Sequence, residues 1–121
     1  MPDLVMLQHE PVIQTVAIAA AGNLTAAIRM PPGHYLAAIV MPAAWTAANL
    51  TFQGSADGAT YNNLYDDADT ELTVTAAAAR MLVLPPANWC AVPFLKIRSG
   101  TAAVPVAQDA ARSLVLITRR L

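Results

Sequence analysis

Turn-forming residues break this sequence at short intervals, and their spacing constrains the fold more than any other feature. The breaks recur roughly every 8 to 12 residues, which is typical of sandwiches or barrels of short strands. The clearest are "AGN" at 21–23, "PPG" at 31–33, Pro42, Asp57-Gly58 and Pro85-Pro86. Long helices do not fit between such breaks, so the spacing favours an all-β fold.

Nine segments between the breaks are predicted to be strands: 12–19, 24–30, 34–41, 48–56, 60–65, 71–75, 80–84, 93–99 and 112–120. Alternation is clearest in 93–99, where Leu95 and Ile97 face one way and the basic Lys96 and Arg98 the other. The run 114–117, "LVLI", has no polar residue, so the last strand is expected to be central and covered on both faces.

Helices are the alternative for the alanine-rich segments 17–22 and 75–80, because alanine is the best helix former. Both segments are too short to form stable isolated helices. No stretch of the sequence repeats apolar residues with the helical period. We therefore expect at most one helical turn, in "PANWCAV" at 86–92. The longest loop is predicted at 100–111.

The composition is too apolar for a small soluble monomer: 56% of the 121 residues are hydrophobic and 12% are charged. One domain of this length cannot bury all of that surface, so the excess predicts contact with a membrane or with other subunits. The longest apolar run, 35–45, is interrupted by Pro42 and is shorter than the roughly 20 residues that span a bilayer. Subunit contact is therefore the favoured explanation.

Charge and cysteine content narrow the function classes. A net charge of −1 lacks the basic surplus of nucleic-acid-binding proteins. The single cysteine, Cys90, excludes an internal disulfide and is expected to be a small buried apolar residue. His9 and His34 have no nucleophile context around them, so no catalytic residue and no cofactor are predicted. The first residues lack a signal-peptide pattern, which indicates synthesis in the cytoplasm.

Two stretches resemble known proteins. "LTFQGSADG" at 50–58, followed by "YNNL" and "FLKIRSG", resembles the discoidin-like, galactose-binding-like β-sandwich. "FLKIRSGTAAVPVAQ" with the terminal "LVLITR" resembles small virion proteins of tailed phages, prophages and gene transfer agents. The resemblance implies one domain over 1–121, an antiparallel β-sandwich of jelly-roll or discoidin-like type with eight or nine strands.

Two candidate ligand sites follow from side-chain type. The acidic cluster comprises Asp66, Asp67, Asp69 and Glu71, whose oxygens suit calcium, although an ordinary solvated loop explains the same residues. The aromatic and amide residues Tyr61, Asn62, Asn63 and Tyr65 lie near a hairpin and form a candidate sugar-stacking surface. Core packing is the alternative role for these aromatic rings.

The virion resemblance implies a non-enzymatic structural component of a phage or phage-like particle, as a head decoration or spike-base protein. Its expected partners are copies of itself, as a trimer or other small homo-oligomer, and virion proteins such as the major capsid protein. Residues 1–11, as an N-terminal arm, and 100–111 are the candidate subunit contacts. The alternative function is a carbohydrate-binding module that contacts host glycans. Neither function involves nucleic acid or a membrane.

Overall fold

The computed structural model describes residues 10–120, so most of the expected N-terminal arm lies outside the described residues. The strands are β1 (Val12–Ile18), β2 (Ile28–Arg29), β3 (His34–Val40), β4 (Leu50–Ser55), β5 (Asn62–Asn63), β6 (Met81–Val83), β7 (Phe94–Ser99) and β8 (Arg112–Arg120). One helical turn, α1 (Pro86–Trp89), lies between β6 and β7, where the sequence predicted it.

The strands form two antiparallel four-stranded sheets. Sheet A has the order β1-β8-β3-β6 and sheet B the order β2-β7-β4-β5. The chain crosses between the sheets at every connection except the β4–β5 hairpin. This order is that of a jelly roll, a double-sheet arrangement built from two Greek keys. The predicted antiparallel β-sandwich is confirmed, with eight strands within residues 10–120.

The core lies between the two sheets, where every second residue of each strand points inward. Sheet A contributes fully buried Leu114 and Leu116, and sheet B contributes Phe52 and Ile97. Trp89 of α1 packs edge-on against Phe52, with ring centroids 4.5 Å apart. Two prolines start this turn, Pro85 before its first residue and Pro86 within it, so it brings an aromatic ring to the core without a longer helix.

Three predicted strands differ most from the structure: 24–30 and 60–65 shrink to two residues each, and 71–75 forms no strand. In 24–30 only Ile28–Arg29 forms a strand, because the Ile97 amide donates to the Thr25 side chain at 3.0 Å rather than to a backbone carbonyl. Segment 71–75 makes isolated bridges, Tyr65 with Glu71 and Leu50 with Val74. Beyond Leu50 the β5 segment occupies this edge of β4, since the Leu64 amide donates to the Phe52 carbonyl and Gln53 pairs with Asn63.

The loop predicted at 100–111 is confirmed, and it packs on the sandwich rather than extending into solvent. Gly100 has φ +90°, and a Cβ there would lie 2.6 Å from the Val104 carbonyl oxygen. Gln108 is buried, and its amide nitrogen donates to Ser99 Oγ at 2.7 Å and to the Thr46 carbonyl at 3.0 Å. These bonds join the 100–111 loop to the β3–β4 connection and to the end of β7.

Strand β8 is central in sheet A, between β1 and β3, as its apolar run predicted. Its inward residues Leu114, Leu116 and Thr118 are buried. Its outward residues Val115 and Ile117 are only half-buried, so the expectation that both faces are covered is wrong for the outer face within residues 10–120.

Candidate functional site

The outer face of sheet A is the most unusual surface of the molecule, because it is apolar. Strand alternation turns Arg119 outward at one end of this face, and alternation and register place ten further side chains beyond it. They are Ile13, Thr15, Ala17, Ala38, Val40, Met81, Val83, Ser113, Val115 and Ile117, and we call this set the apolar face. None of the ten is ionisable. Antiparallel sheets of small sandwiches usually turn polar residues to water, so this surface departs from the common pattern.

Two rows of directly opposed residues cross the apolar face. In the first row Ile13 opposes Ile117, and Ala38 lies between Ile117 and Val83. The second row contains Thr15, Val115, Val40 and Met81 in the same order of strands. Cross-strand contacts of this kind stabilise the sheet, and they leave Ala38 buried but Ile13, Met81 and Val83 exposed.

Exposure is greatest at the two edge strands of the apolar face. Ile13 on β1 is 66% exposed, and Met81 and Val83 on β6 are 57% and 79% exposed. These exposed fractions are far above those of core residues. All three side chains are apolar, so their burial against a partner would be favourable. Arg119, which opposes Tyr35, marks one end of the face.

The outer face of sheet B is polar and largely covered, in contrast to sheet A. Arg98 on β7 is only 6% exposed although it points outward. Its guanidinium donates to Asn63 Oδ1 at 2.7 Å and pairs with Glu71 Oε2 at 3.4 Å. The Ala102 amide also donates to Glu71 at 3.0 Å, which ties the 100–111 loop over the sheet.

The four residues of the predicted sugar surface point to different places. The Tyr61 ring lies under the Lys96 ammonium, 4.3 Å from ring centroid to Nζ, and its buried hydroxyl has no partner within residues 10–120. Asn63 is held by Arg98. Asn62 lines a depression beside Gly54 and Val92. Only Tyr65 remains as an exposed aromatic ring, at 51%.

Tyr65 borders a depression of about 380 Å³ between the β5–β6 connection and α1. The other lining residues are Asp66, Asp67, Leu72, Ala87 and Asn88. An exposed ring with carboxylate and amide groups beside it has the composition of a small polar-ligand site. The sequence pointed to Tyr65 but not to Asn88, which comes from a distant segment.

The acidic cluster is a folded turn in which one carboxylate accepts backbone bonds. Asp66 Oδ1 accepts the amides of Ala68 at 2.8 Å and Thr70 at 3.0 Å, and Asp69 has φ +60°. Glu71 is directed away, toward Arg98. Within residues 10–120, no group of three or more His, Cys, Asp or Glu side chains is placed to hold a metal ion.

Cys90 is exposed, which corrects the expectation of a buried residue. It caps α1 directly after Trp89, and successive residues of a helical turn point about 100° apart, so only the tryptophan reaches the core. Cys90 lines a depression of about 410 Å³ that also includes Arg29 and His34. His34 Nδ1 lies 3.2 Å from Thr118 Oγ1, while His9 lies outside the described residues.

The apolar face was predicted only in part, since the run 114–117 was expected to be covered on both faces but the other strands of the face were not singled out. Segment 80–84, "RMLVL", is apolar at both alternating positions after its arginine, and so is the run 114–117. Such runs indicate burial on both sides of a strand. The outward half of each run is the part that the single chain leaves exposed.

In the part of the chain from 10 to 120, no helix has the length and apolar character needed to cross a membrane. No protein family, curated protein or solved structure matches this chain.

Proposed function

We propose that this protein is a non-enzymatic structural component of a phage or phage-like particle, as a head decoration or spike-base protein. The observation that supports this proposal is the apolar face, because a surface of this kind favours permanent contact with another protein. The resemblance of "FLKIRSGTAAVPVAQ" and "LVLITR" to small virion proteins supplies the particle context.

The jelly-roll order agrees with this role, since viral capsid and lectin domains use the same architecture. A fold of this kind hosts many functions, so it supports the role by analogy only. In this role the protein has itself and other virion proteins, such as the major capsid protein, as partners.

The test is immunogold electron microscopy of particles from the source culture, with antibody against this chain. We expect gold over the particle heads. Label at the tail tips would replace the head role by host contact. Absence of label from every particle, with the protein shown to be expressed, would overturn the proposed function. Antibody against a known capsid protein serves as the positive control.

A second function, binding of a host glycan, is favoured by the exposed Tyr65 ring beside Asp66, Asp67 and Asn88. The ring offers a face for a sugar, and the polar groups offer hydrogen bonds to its hydroxyls.

In a titration with a saccharide identified on a glycan array, we expect Tyr65→Ala to weaken binding at least about tenfold, through loss of the stacking face. Asn62→Ala is the control, because Asn62 lines a different depression and its loss should leave binding unchanged. A blank array, or equal effects of the two substitutions, would contradict the glycan function.

A further inference from the structure

We propose that the apolar face binds the same face of a second copy of this chain across a twofold axis. This inference rests on the proposed structural role, since it names the partner of the surface that supports that role.

The chemistry of the apolar face restricts its partner. None of its ten side chains is ionisable, and three of them, Ile13, Met81 and Val83, are more than half exposed. A charged partner surface would lose its water here and find no counter-charge, which is costly. The matching surface is therefore apolar as well.

The chain itself carries a surface of that kind. A twofold axis brings one patch against its own copy, so every apolar side chain meets an apolar surface. The outer face of sheet B is not such a surface, since Arg98, Glu71 and the 100–111 loop occupy it. Two sheets that pack face to face in this way form a dry layer about 10 Å thick.

The size of the apolar face agrees with a pair of copies. Strand β8 has nine residues, which span about 30 Å at the usual rise. Four strands with side chains are about 20 Å across, so the face covers on the order of 500 Å². Two copies together bury about 1,000 Å², the lower limit for a specific interface.

Charge at the end of β8 selects between the two possible directions of packing. Arg119 and Arg120 are exposed at that end, and Arg120 lies opposite His34. If β8 ran the same way in both copies, the two Arg119 side chains, which point to the outer face, would lie at the same end of the interface. An axis that reverses the strand direction keeps them at opposite ends, with β1 over β1 and β6 over β6.

The test is sedimentation equilibrium of the purified chain, wild type against Val83→Lys and Ile13→Lys. We expect the wild type to have twice the chain mass of 12.7 kDa. Each lysine would place a charge in an apolar layer that offers no counter-charge, so each substitution should weaken dimerisation at least about tenfold. Both side chains are exposed on edge strands, and circular dichroism would show that the variants remain folded.

Val104→Lys is the matched control. Val104 is 67% exposed in the 100–111 loop, outside the apolar face, so the same chemical change should leave the dimer intact. A monomeric or trimeric wild type, or equal weakening by all three lysines, would overturn the inference.

The solution mass and the particle label test different statements. A dimer in solution whose antibody labels no particle would retain this inference and remove the virion role. If the antibody labels particles but the purified protein is monomeric, the virion role would be retained and the dimer inference removed.

Discussion

Asp57 shows how one exposed carboxylate organises the β4–β5 hairpin. Its Oδ1 accepts hydrogen bonds from the amides of Ala59 at 2.8 Å and Thr60 at 2.9 Å, and from the Ser55 hydroxyl at 3.0 Å. The bond from Thr60, then that from Ala59 and then that from Ser55 lower the pKa of Asp57 from 3.8 to about 2. Gly58 follows with φ +80°, which completes the turn that Asp57-Gly58 predicted.

The lowered pKa predicts a pH-dependent contribution to stability. The folded state binds the Asp57 proton less readily than the unfolded state, so the stabilisation is complete above about pH 4 and is lost as pH falls toward 2. Asp57→Asn keeps an oxygen acceptor but removes the charge. We expect the urea midpoint of wild type to exceed that of Asp57→Asn above pH 4, and the gap to shrink toward pH 2.

Asp109→Asn is the control for this series, since the Asp109 carboxylate accepts no hydrogen bond within residues 10–120. Its urea midpoint should stay close to that of wild type throughout. A gap for Asp57→Asn that stays constant from pH 5 to pH 2 would contradict the assignment.

At the scale of elements, β7 depends on an ion pair outside the core. Arg98 and Glu71 are nearly buried, and Asn63 and Thr51 complete the bonds of the guanidinium. Removal of one member leaves the other without its partner in a poorly hydrated place. We expect Arg98→Met to lower the free energy of unfolding by about 3 kcal/mol.

Lys96→Met on the same strand and face is the matched substitution. Lys96 loses only its contact with the Tyr61 ring, so the expected cost is below about 1 kcal/mol. Urea unfolding measures both. Equal costs would refute the role of the ion pair, and Arg98→Met with Glu71→Gln should cost less than the sum of the single changes.

Alternation along β7 was readable from the sequence, but its environment was not. The pattern placed Leu95 and Ile97 inward and Arg98 outward, as observed. Arg98 is nevertheless buried, because Glu71 and Ala102 come from segments that the local pattern does not connect to β7. A period of two specifies the face of a strand and says nothing about what covers that face.

At the scale of the whole molecule, turn spacing predicted the number of strands better than their partners. The order β1-β8-β3-β6 depends on packing between distant segments, which no local pattern encodes. The surplus of apolar residues was visible in the composition. The sequence does not show where these apolar residues lie. The sheet register shows it, because it brings Ile13, Ile117 and Val83 onto one surface.

The candidate ligand residues illustrate the same limit. Tyr61, Asn62, Asn63 and Tyr65 are neighbours in the sequence, but alternation turns adjacent residues of a strand to opposite sides. Asn63 therefore meets Arg98, while Asn62 lines a depression on the other side of the strand. Tyr65 comes after β5 has ended and lies across another depression from Asn88. Because these residues are close in the sequence, they were predicted to form one ligand surface. The folded chain instead directs them to different surfaces.

The central place of β8 has a consequence for how the chain folds. The Thr118 hydroxyl bonds the Val12 carbonyl across 106 residues of sequence, and β8 also supplies the partner of β3. A chain emerging from the ribosome cannot join β1 to the rest of sheet A until residues 112–120 have been made. Such distant pairing is slow, on the order of milliseconds to seconds. Until then β1 and β3 present unpaired edges, so the nascent chain depends on the arrival of one strand to escape aggregation.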